Sequence, residues 1–155
     1  MGVRKGDPEI VTVLPITADN EALLIWQYRI PMRAYVLENV AGLVDPGQNP
    51  VSTVVKEILE ETGYRVSPEK VVRLGMVTPA SSGGTTEKIE CFVARGAEYE
   101  GSQNLEAAEA IEIVKLPLET AFETALATSL SGRLVDAKVL ALLATVRAGV
   151  ADIVA

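Results

Sequence analysis

The sequence predicts an α/β protein in which helices pack on the outside of a mixed β-sheet. Short runs rich in Val, Ile and Leu, bounded by turn residues, predict strands. A helix with clear end signals interrupts these runs, and two further helical segments follow the last of them. A length of 155 residues and a hydrophobic fraction of 48% indicate one domain with a buried core, spanning residues 1–155.

The elements follow from local patterns. The predicted strands are residues 10–16, 22–28, 34–37, 71–77, 89–94 and 111–116. The predicted helices near the C-terminus are residues 118–130 and 135–147, separated by Ser131-Gly132.

The stretch AGLVDPGQNPVSTVVKEILEETGY, residues 41–64, predicts a loop followed by a helix. Asn49 is a good N-cap, and Pro50 suits the first helical position, where no N–H is needed. Gly63 suits a left-handed stop at the C-terminal end. We therefore predict a helix from Pro50 to Thr62.

Three glutamates of this helix, Glu57, Glu60 and Glu61, are predicted to face away from its apolar stripe. The stripe consists of Val51, Val54, Val55, Ile58 and Thr62. Carboxylates three and four positions apart repel, and the last helical turn prefers cations, so something positive should compensate. Two interpretations stay open: a solvated acidic face, or a site for a hard divalent cation that takes oxygen ligands.

Composition excludes several classes of function. A net charge of -7 and a pI near 4.7 argue against nucleic acid or an anionic membrane as a partner. The absence of histidine excludes Ser-His-Asp and Cys-His catalysis and histidine-ligated zinc. Cys91 is the single cysteine, and we expect it to be a buried hydrophobic residue. With no membrane span and no signal peptide in the sequence, we expect a cytoplasmic protein.

Residues 42–64 resemble the Nudix box, G-x5-E-x7-R-E-U-x-E-E-x-G-U, where U is a bulky apolar residue. The matching positions include Gly42, Glu57, Glu60, Glu61 and Gly63. The departures are Gln48 for Glu, Lys56 for Arg, and Tyr64 at the last apolar position. In the family that Glu and Arg mainly brace one another, and Gln48 and Lys56 retain the ability to hydrogen-bond in a looser brace. The resemblance implies the Nudix α/β/α sandwich with a mixed sheet.

Outside the box the chain is similar to the ADP-ribose pyrophosphatase branch of the Nudix hydrolases. The similar segments are Trp26-Gln27-Tyr28-Arg29-Ile30-Pro31, Glu38-Asn39-Val40-Ala41-Gly42, residues 78–89 and residues 109–138. In the third segment, Ala80-Ser81-Ser82-Gly83-Gly84 replaces a tighter S-P-G, which changes the loop geometry.

The resemblance implies a Mg²⁺-dependent hydrolase, with Mn²⁺ as an alternative metal, that splits a nucleoside diphosphate sugar. By the same resemblance, ADP-ribose would be the preferred substrate and would give AMP and ribose 5-phosphate. The implied metal ligands are the Ala41 carbonyl, Glu57 and Glu61, helped by Glu60, and they would hold two or three ions.

Other roles are implied for residues outside the helix. Glu109, with Glu106 as a spare, is the implied general base, and Glu60 is a further catalytic candidate. The implied substrate-binding residues are Arg29, Glu38, Gly42 and Glu87. A homodimer is expected from the family.

Simpler interpretations stay open beside these. Arg29 and Glu38 fit a surface ion pair or a solvated charge, residues 83–85 fit a plain hairpin connection, and Glu106 and Glu109 fit an ordinary acidic surface. The aromatic residues Trp26, Tyr28 and Tyr35 are candidates to stack on adenine, or are core or interface residues. Alternative functions are hydrolysis of another nucleoside diphosphate derivative, and a Nudix-fold binding module without catalysis.

Overall fold

A computed structural model describes residues 10–79, 81–149 and 152, with the backbone alone for residues 75–78. Ala80 of the predicted glycine-rich loop lies outside the described residues. Within them are nine strands: β1 (Ile10–Thr17), β2 (Glu21–Arg29), β3 (Ala34–Glu38), β4 (Val40–Leu43), β5 (Tyr64–Arg65), β6 (Val71–Pro79), β7 (Lys88–Tyr99), β8 (Ile111–Pro117) and β9 (Leu134–Val135). The α-helices of the same part of the chain are α1 (Pro50–Thr62), α2 (Ala121–Leu130) and α3 (Ala137–Arg147).

The strands form a mixed sheet with the order β5-β7-β1-β2-β3-β9. The β1–β7 and β3–β9 pairs are parallel, and β1–β2, β2–β3, β2–β8 and β6–β7 are antiparallel. β4 pairs antiparallel with β1, with Thr12 opposite Ala41, which brings the loop before α1 onto the sheet. The predicted α/β class with a mixed sheet is confirmed.

Two hydrophobic clusters cover the two faces of the sheet. Because side chains alternate along a strand, Val11 and Val13 of β1 point to the face that carries Val54 and Ile58 of α1. The next residue, Leu14, points to the opposite face, which α2 and α3 cover with residues such as Ala125 and Leu142. The structure is therefore the predicted α/β/α sandwich.

The starts of the two C-terminal helices differ from the prediction. Residues 118–120 form a turn in which Leu118 N–H donates to Asn20 O, so α2 begins at Ala121. Val135 belongs to β9 and pairs with β3, and Asp136 caps α3 by accepting from Lys138 N–H. The predicted break at Ser131-Gly132 is confirmed.

Three strands were not predicted: β4, β5 and β9, each two to four residues long. β7 continues to Tyr99, five residues beyond its predicted end. Cys91 is half-buried, which corrects the expected full burial, and burial raises the pKa of its thiol. None of the helices in the described ranges is long and apolar enough to span a membrane.

Candidate active site

Both ends of α1 form as the sequence predicts. Asn49 Oδ1 accepts a hydrogen bond from Val51 N–H at 2.9 Å. At the other end, Gly63 adopts φ 72° and its N–H donates to Leu59 O at 2.8 Å. These local signals set the two ends of the helix.

Glu61 does not face solvent, which corrects the prediction that the three glutamates lie opposite the apolar stripe. Its exposed fraction is 3%, against a half-buried Glu57 and Glu60. Glu61 follows Val54 by seven residues, about 20° short of two full helical turns. The side chain therefore projects beside Val54, toward β4.

A cleft of about 470 Å³ lies between α1, β4 and the loop before β8. The lining residues are Ile10, Gln27, Arg29, Ala41, Gly42, Leu43, Asp45, Lys56, Glu57, Glu61, Glu106 and Glu109. Most of the residues predicted for the site are thus brought together. Glu60 does not line this cleft, and neither do Glu38 and Glu87.

Gly42 makes room for the Glu57 carboxylate. A Cβ built at Gly42 would overlap Cγ and Cδ of Glu57. The glycine therefore lets the Glu57 side chain lie directly against β4, at the wall of the cleft. Close approach of a side chain, rather than an unusual backbone angle, accounts for a glycine at this position.

The two cleft carboxylates of α1 have strongly raised pKa values. Burial, followed by the charges of Glu57 and Glu109, raises the pKa of Glu61 to about 9, although a hydrogen bond from the Ala41 backbone lowers it. Burial raises the pKa of Glu57 to about 7, against the opposing effect of Lys56. Oε2 of Glu61 is buried without a hydrogen-bond partner. Burial and the neighbouring carboxylates therefore disfavour the charged forms of both groups.

Arg29 and Glu38 form a bidentate ion pair at the edge of the cleft. The Arg29 Nε lies 3.0 and 3.1 Å from the two carboxylate oxygens of Glu38, and Nη2 lies 2.7 Å from Oε2. The hydrogen bond to Glu38 raises the pKa of Arg29. The surface ion pair that the sequence left open is therefore present, and Arg29 lines the cleft as well.

Arg29 also lines a second cavity, of about 680 Å³. Its other lining residues are Pro31, Met32, Val36, Glu38, Glu87, Leu134, Val135 and Asp136. Glu38 and Glu87 thus lie beside the neighbouring cavity. Glu87 ends the β6–β7 loop, which is a hairpin connection because Pro79 pairs with Lys88.

Glu106 and Glu109 form a small turn on the opposite side of the cleft. Glu109 N–H donates to Glu106 O at 3.0 Å, and Glu106 N–H donates to Glu109 Oε2 at 2.8 Å. The preceding segment is docked on the end of α1, where Glu100 N–H and Gly101 N–H donate to Gly63 O. The sequence alone gave no signal for this docking.

Comparison with known proteins identifies the family. The model of the NUDIX domain matches residues 7–140.

This chain belongs to the Nudix family.

Three proteins illustrate the similarity of this Nudix chain to known relatives. A methanol dehydrogenase activator of Bacillus methanolicus is 30% identical over 118 residues, which cover 75% of this chain and 62% of the relative. An ADP-ribose pyrophosphatase of Bacillus subtilis (strain 168) is 27% identical over 117 residues, covering 75% and 62%. A GDP-mannose pyrophosphatase of Yersinia enterocolitica serotype O:8 is 37% identical over 133 residues, covering 78% and 63%.

The match spans under two thirds of the length of each of these relatives. A crystal structure of an ADP compounds hydrolase superposes with a TM-score of 0.74 at 24% identity, over 93% of this chain and 73% of the other. That similarity supports the Nudix fold. The predicted resemblance to the family and to its ADP-ribose pyrophosphatases is confirmed.

Gln48 and Lys56, two of the three departures within the Nudix box, do not brace one another, which corrects the predicted looser brace. Lys56 Nζ lies 3.5 Å from Glu60 Oε2 and 3.8 Å from Glu57 Oε1, and the charges of Glu57 and Glu60 raise the pKa of Lys56. In the described part of the chain, the Gln48 side chain makes no hydrogen bond, and its N–H donates to Asp45 O. Lys56 is thus the compensating charge for Glu57 and Glu60, but not for Glu61.

The chemistry of the cleft fits a divalent cation. A buried Glu61 with an unpartnered oxygen and a half-buried Glu57 line the same cavity. The cations that line it, Arg29 and Lys56, already pair with Glu38 and with Glu57 and Glu60. Among the described residues, no group of three or more acidic or cysteine side chains is arranged to hold one ion. Mg²⁺ does not require such a group, because it commonly takes one or two carboxylates, several waters and substrate phosphates.

The aromatic candidates are engaged within the protein. Arg133 covers one face of the Trp26 ring, with Cζ 3.8 Å from the centroid, and Trp26 packs on the core below α2 and α3. Tyr28 and Tyr35 form an edge-to-face pair with centroids 5.4 Å apart, and both are exposed. Trp26 is therefore a poor adenine platform, and the tyrosine pair remains a candidate.

Proposed function

We propose that this chain hydrolyses the pyrophosphate bond of a nucleoside diphosphate sugar with the help of Mg²⁺, and that it prefers ADP-ribose. The observation that carries the proposal is the buried Glu61 beside the half-buried Glu57, which line a cleft together with Arg29 and Glu109. The unpartnered oxygen of Glu61 beside the Glu57 carboxylate favours a cation, and the cation with Arg29 favours a diphosphate. The names of two relatives, an ADP-ribose and a GDP-mannose pyrophosphatase, support this substrate class.

The residues for the metal would be Glu57, Glu61 and the carbonyl of Ala41; Glu60, also predicted to help, does not line the cleft and pairs with Lys56. A bound Mg²⁺ would supply positive charge against the diphosphate and make water more acidic. Mn²⁺ has similar ligand preferences and is expected to substitute.

Arg29 would hold the diphosphate. Glu38 occupies its Nε and one Nη2 hydrogen, which fixes the plane of the guanidinium and leaves the Nη1 hydrogens free for phosphate oxygens. Arg29 lies between the two cavities, so it would contact the phosphates while the rest of the substrate extends into the second cavity.

Glu109 would act as the general base. Its Oε2 is held by Glu106 N–H, which orients the carboxylate and leaves Oε1 to accept a proton. Water would bond to one phosphorus as the bridging P–O bond breaks, and Glu109 would take the proton that the water loses. The products from ADP-ribose would be AMP and ribose 5-phosphate. Glu106 is the alternative base.

The second cavity suits the sugar or nucleoside half of the substrate. It combines apolar side chains, Met32 and Leu134 among them, with the carboxylates of Glu38, Glu87 and Asp136. Carboxylates accept hydrogen bonds from hydroxyl and amino groups, which sugars and bases carry. The cavity therefore also fits other nucleotide sugars, and GDP-mannose is the main alternative, given the 37% identical relative.

The test is a hydrolysis panel with and without Mg²⁺ or Mn²⁺, read by chromatography of the nucleotide products. The panel contains ADP-ribose, ADP-glucose, GDP-mannose and a dinucleoside polyphosphate. We expect metal-dependent release of AMP from ADP-ribose, with the highest kcat/KM of the panel. Glu61→Gln and Glu109→Gln should each lower kcat by about 10²-fold or more. The matched control is Glu119→Gln, because Glu119 is exposed and lines neither of the two cavities.

Two outcomes would change the proposal. Highest turnover with another panel member would reassign the substrate. Binding of ADP-ribose, measured by calorimetry, without turnover of any panel member would indicate a binding module. This interpretation is motivated by Gln48, Lys56 and the altered β6–β7 loop.

We also propose that the protein is a homodimer in the cytoplasm, with no nucleic acid or membrane partner. Sedimentation velocity tests the dimer.

A further inference from the structure

Gln103 joins the end of α1 to the start of β8. Its Nε2 donates to Glu61 O at 2.7 Å and to Ile111 O at 3.3 Å. Next to it, Asn104 N–H donates to Glu60 O at 2.8 Å. Carbonyls in the last turn of a helix lack partners within the helix, so this half-buried amide satisfies a carbonyl that would otherwise be unpaired.

Glu61 contributes to two contacts at once. The Glu61 side chain lies in the cleft, and its carbonyl holds Gln103. Two residues beyond Gln103, Leu105 packs on the core beneath α1, and the turn of Glu106 and Glu109 follows immediately. The Glu106–Glu109 turn is thus anchored to the helix that carries the opposing carboxylates, at one end by Gln103 and Leu105 and at the other by β8.

We propose that Gln103 is a positioning residue, which holds the Glu106–Glu109 turn at its working distance from Glu57 and Glu61. The inference rests on the proposed function, because the distance matters only if Glu109 or Glu106 takes part in hydrolysis. Gln103 itself does not line the cleft. Loss of its hydrogen bonds would let the turn move without disturbing the carboxylates of α1, and a displacement of about 1 Å is enough to lower turnover greatly.

The test uses Gln103→Met, which keeps the length of the side chain and removes the donor, and Gln103→Glu, which places an acceptor against two carbonyls. We expect kcat to fall by about 10- to 100-fold in Gln103→Met and further in Gln103→Glu. The KM for substrate and the rise in Tm on adding Mg²⁺ should stay within twofold and about 2 °C of the wild type. Asn104→Ala is the matched control, because its exposed side chain makes no hydrogen bond among the described residues.

A second measurement, amide hydrogen exchange, separates this inference from the proposed function. Gln103→Met should speed exchange at Asn104, Glu106 and Glu109 while leaving the centre of α1 protected. Unchanged kcat in both variants, or losses of kcat that follow a fall in Tm, would overturn the inference. If the wild type hydrolyses no member of the panel, the proposed function fails, and unchanged exchange at the turn would then overturn the anchoring as well.

Discussion

The Glu61 carboxylate is buried close to other carboxylates, an arrangement that charge repulsion disfavours. The charges of Glu57 and Glu109 raise its pKa further, and a hydrogen bond from the Ala41 backbone opposes them. Surface ion pairs at Lys56 stabilise Glu57 and Glu60 little, since such pairs contribute about 0–1 kcal/mol. A buried group that weakens the fold in the absence of a ligand is typical of a functional site.

Glu61→Gln should therefore stabilise the metal-free protein and abolish its response to Mg²⁺. A neutral amide removes the charge that burial and the neighbouring carboxylates disfavour, and should raise the free energy of unfolding by about 1–3 kcal/mol. For a chain of this size, each kcal/mol raises Tm by about 2–4 °C. Thermal unfolding in chelator and in Mg²⁺ measures both effects, with Glu119→Gln as the control. A lower Tm for Glu61→Gln in chelator would contradict this account.

The stabilisation by Glu61→Gln should depend on pH. The pKa of Glu61 is raised from 4.5 to about 9, so between these values the folded state keeps a proton that the unfolded state releases. The free energy of unfolding of the metal-free wild type then falls as pH rises, because the unfolded state binds fewer protons. The advantage of Glu61→Gln should be small near pH 5 and larger near pH 8. An advantage of Glu61→Gln that shrinks as pH rises would contradict the raised pKa of Glu61.

At the scale of elements, the end of α1 is a crowded junction. Gly63 has φ 72°, and a Cβ there would overlap Gly101 O in the segment that leads to the Glu106–Glu109 turn. Gly96 has a similar φ of 70° in β7, with nothing within 4 Å of its Cβ direction. The two glycines differ in surroundings and share the backbone requirement.

Gly96→Ala should lower the free energy of unfolding by about 1–2 kcal/mol through left-handed strain alone. Gly63→Ala should lower it further, by about 1–3 kcal/mol more, because the methyl group displaces the docked segment. Urea unfolding at equilibrium measures both variants. Equal losses would show that the segment from residue 100 to 105 is not held against α1.

The elements that the sequence predicted well are those with local signals. Asn49, Pro50 and Gly63 define α1 to the residue, since caps and a left-handed stop act on their own neighbours. β5 and β9 have two residues each and exist because β7 and β3 lie beside them, which no local pattern reports.

In the candidate site too, residues within a sequence pattern could be predicted, and contacts between distant segments could not. Gly42, Glu57 and Glu61 of the box and Arg29 follow from a pattern, and the cleft brings them together with Glu106 and Glu109, whereas Glu60 lies outside it. The burial of Glu61 required β4, which was not predicted. The hydrogen bond from Gln103 to Glu61 spans 42 positions and depends on the packed structure.

At the scale of the whole molecule, β1 and β2 contribute to both hydrophobic clusters, so the two faces share their central strands. We propose that the chain is one domain and predict a single cooperative unfolding transition. Trp26, the single tryptophan, reports on the face below α2 and α3 by fluorescence, and far-UV circular dichroism reports on all helices. Urea midpoints from the two signals should coincide, and separate midpoints would indicate two units.

The most direct test of the central claim is a crystal structure of the protein with Mn²⁺ and a non-hydrolysable ADP-ribose analogue, using the anomalous signal of manganese. The account predicts anomalous density between Glu57, Glu61 and the Ala41 carbonyl, with the diphosphate against Arg29. Density confined to the outer side of Glu60 near Lys56, or no density in the cleft at saturating Mn²⁺, would contradict it.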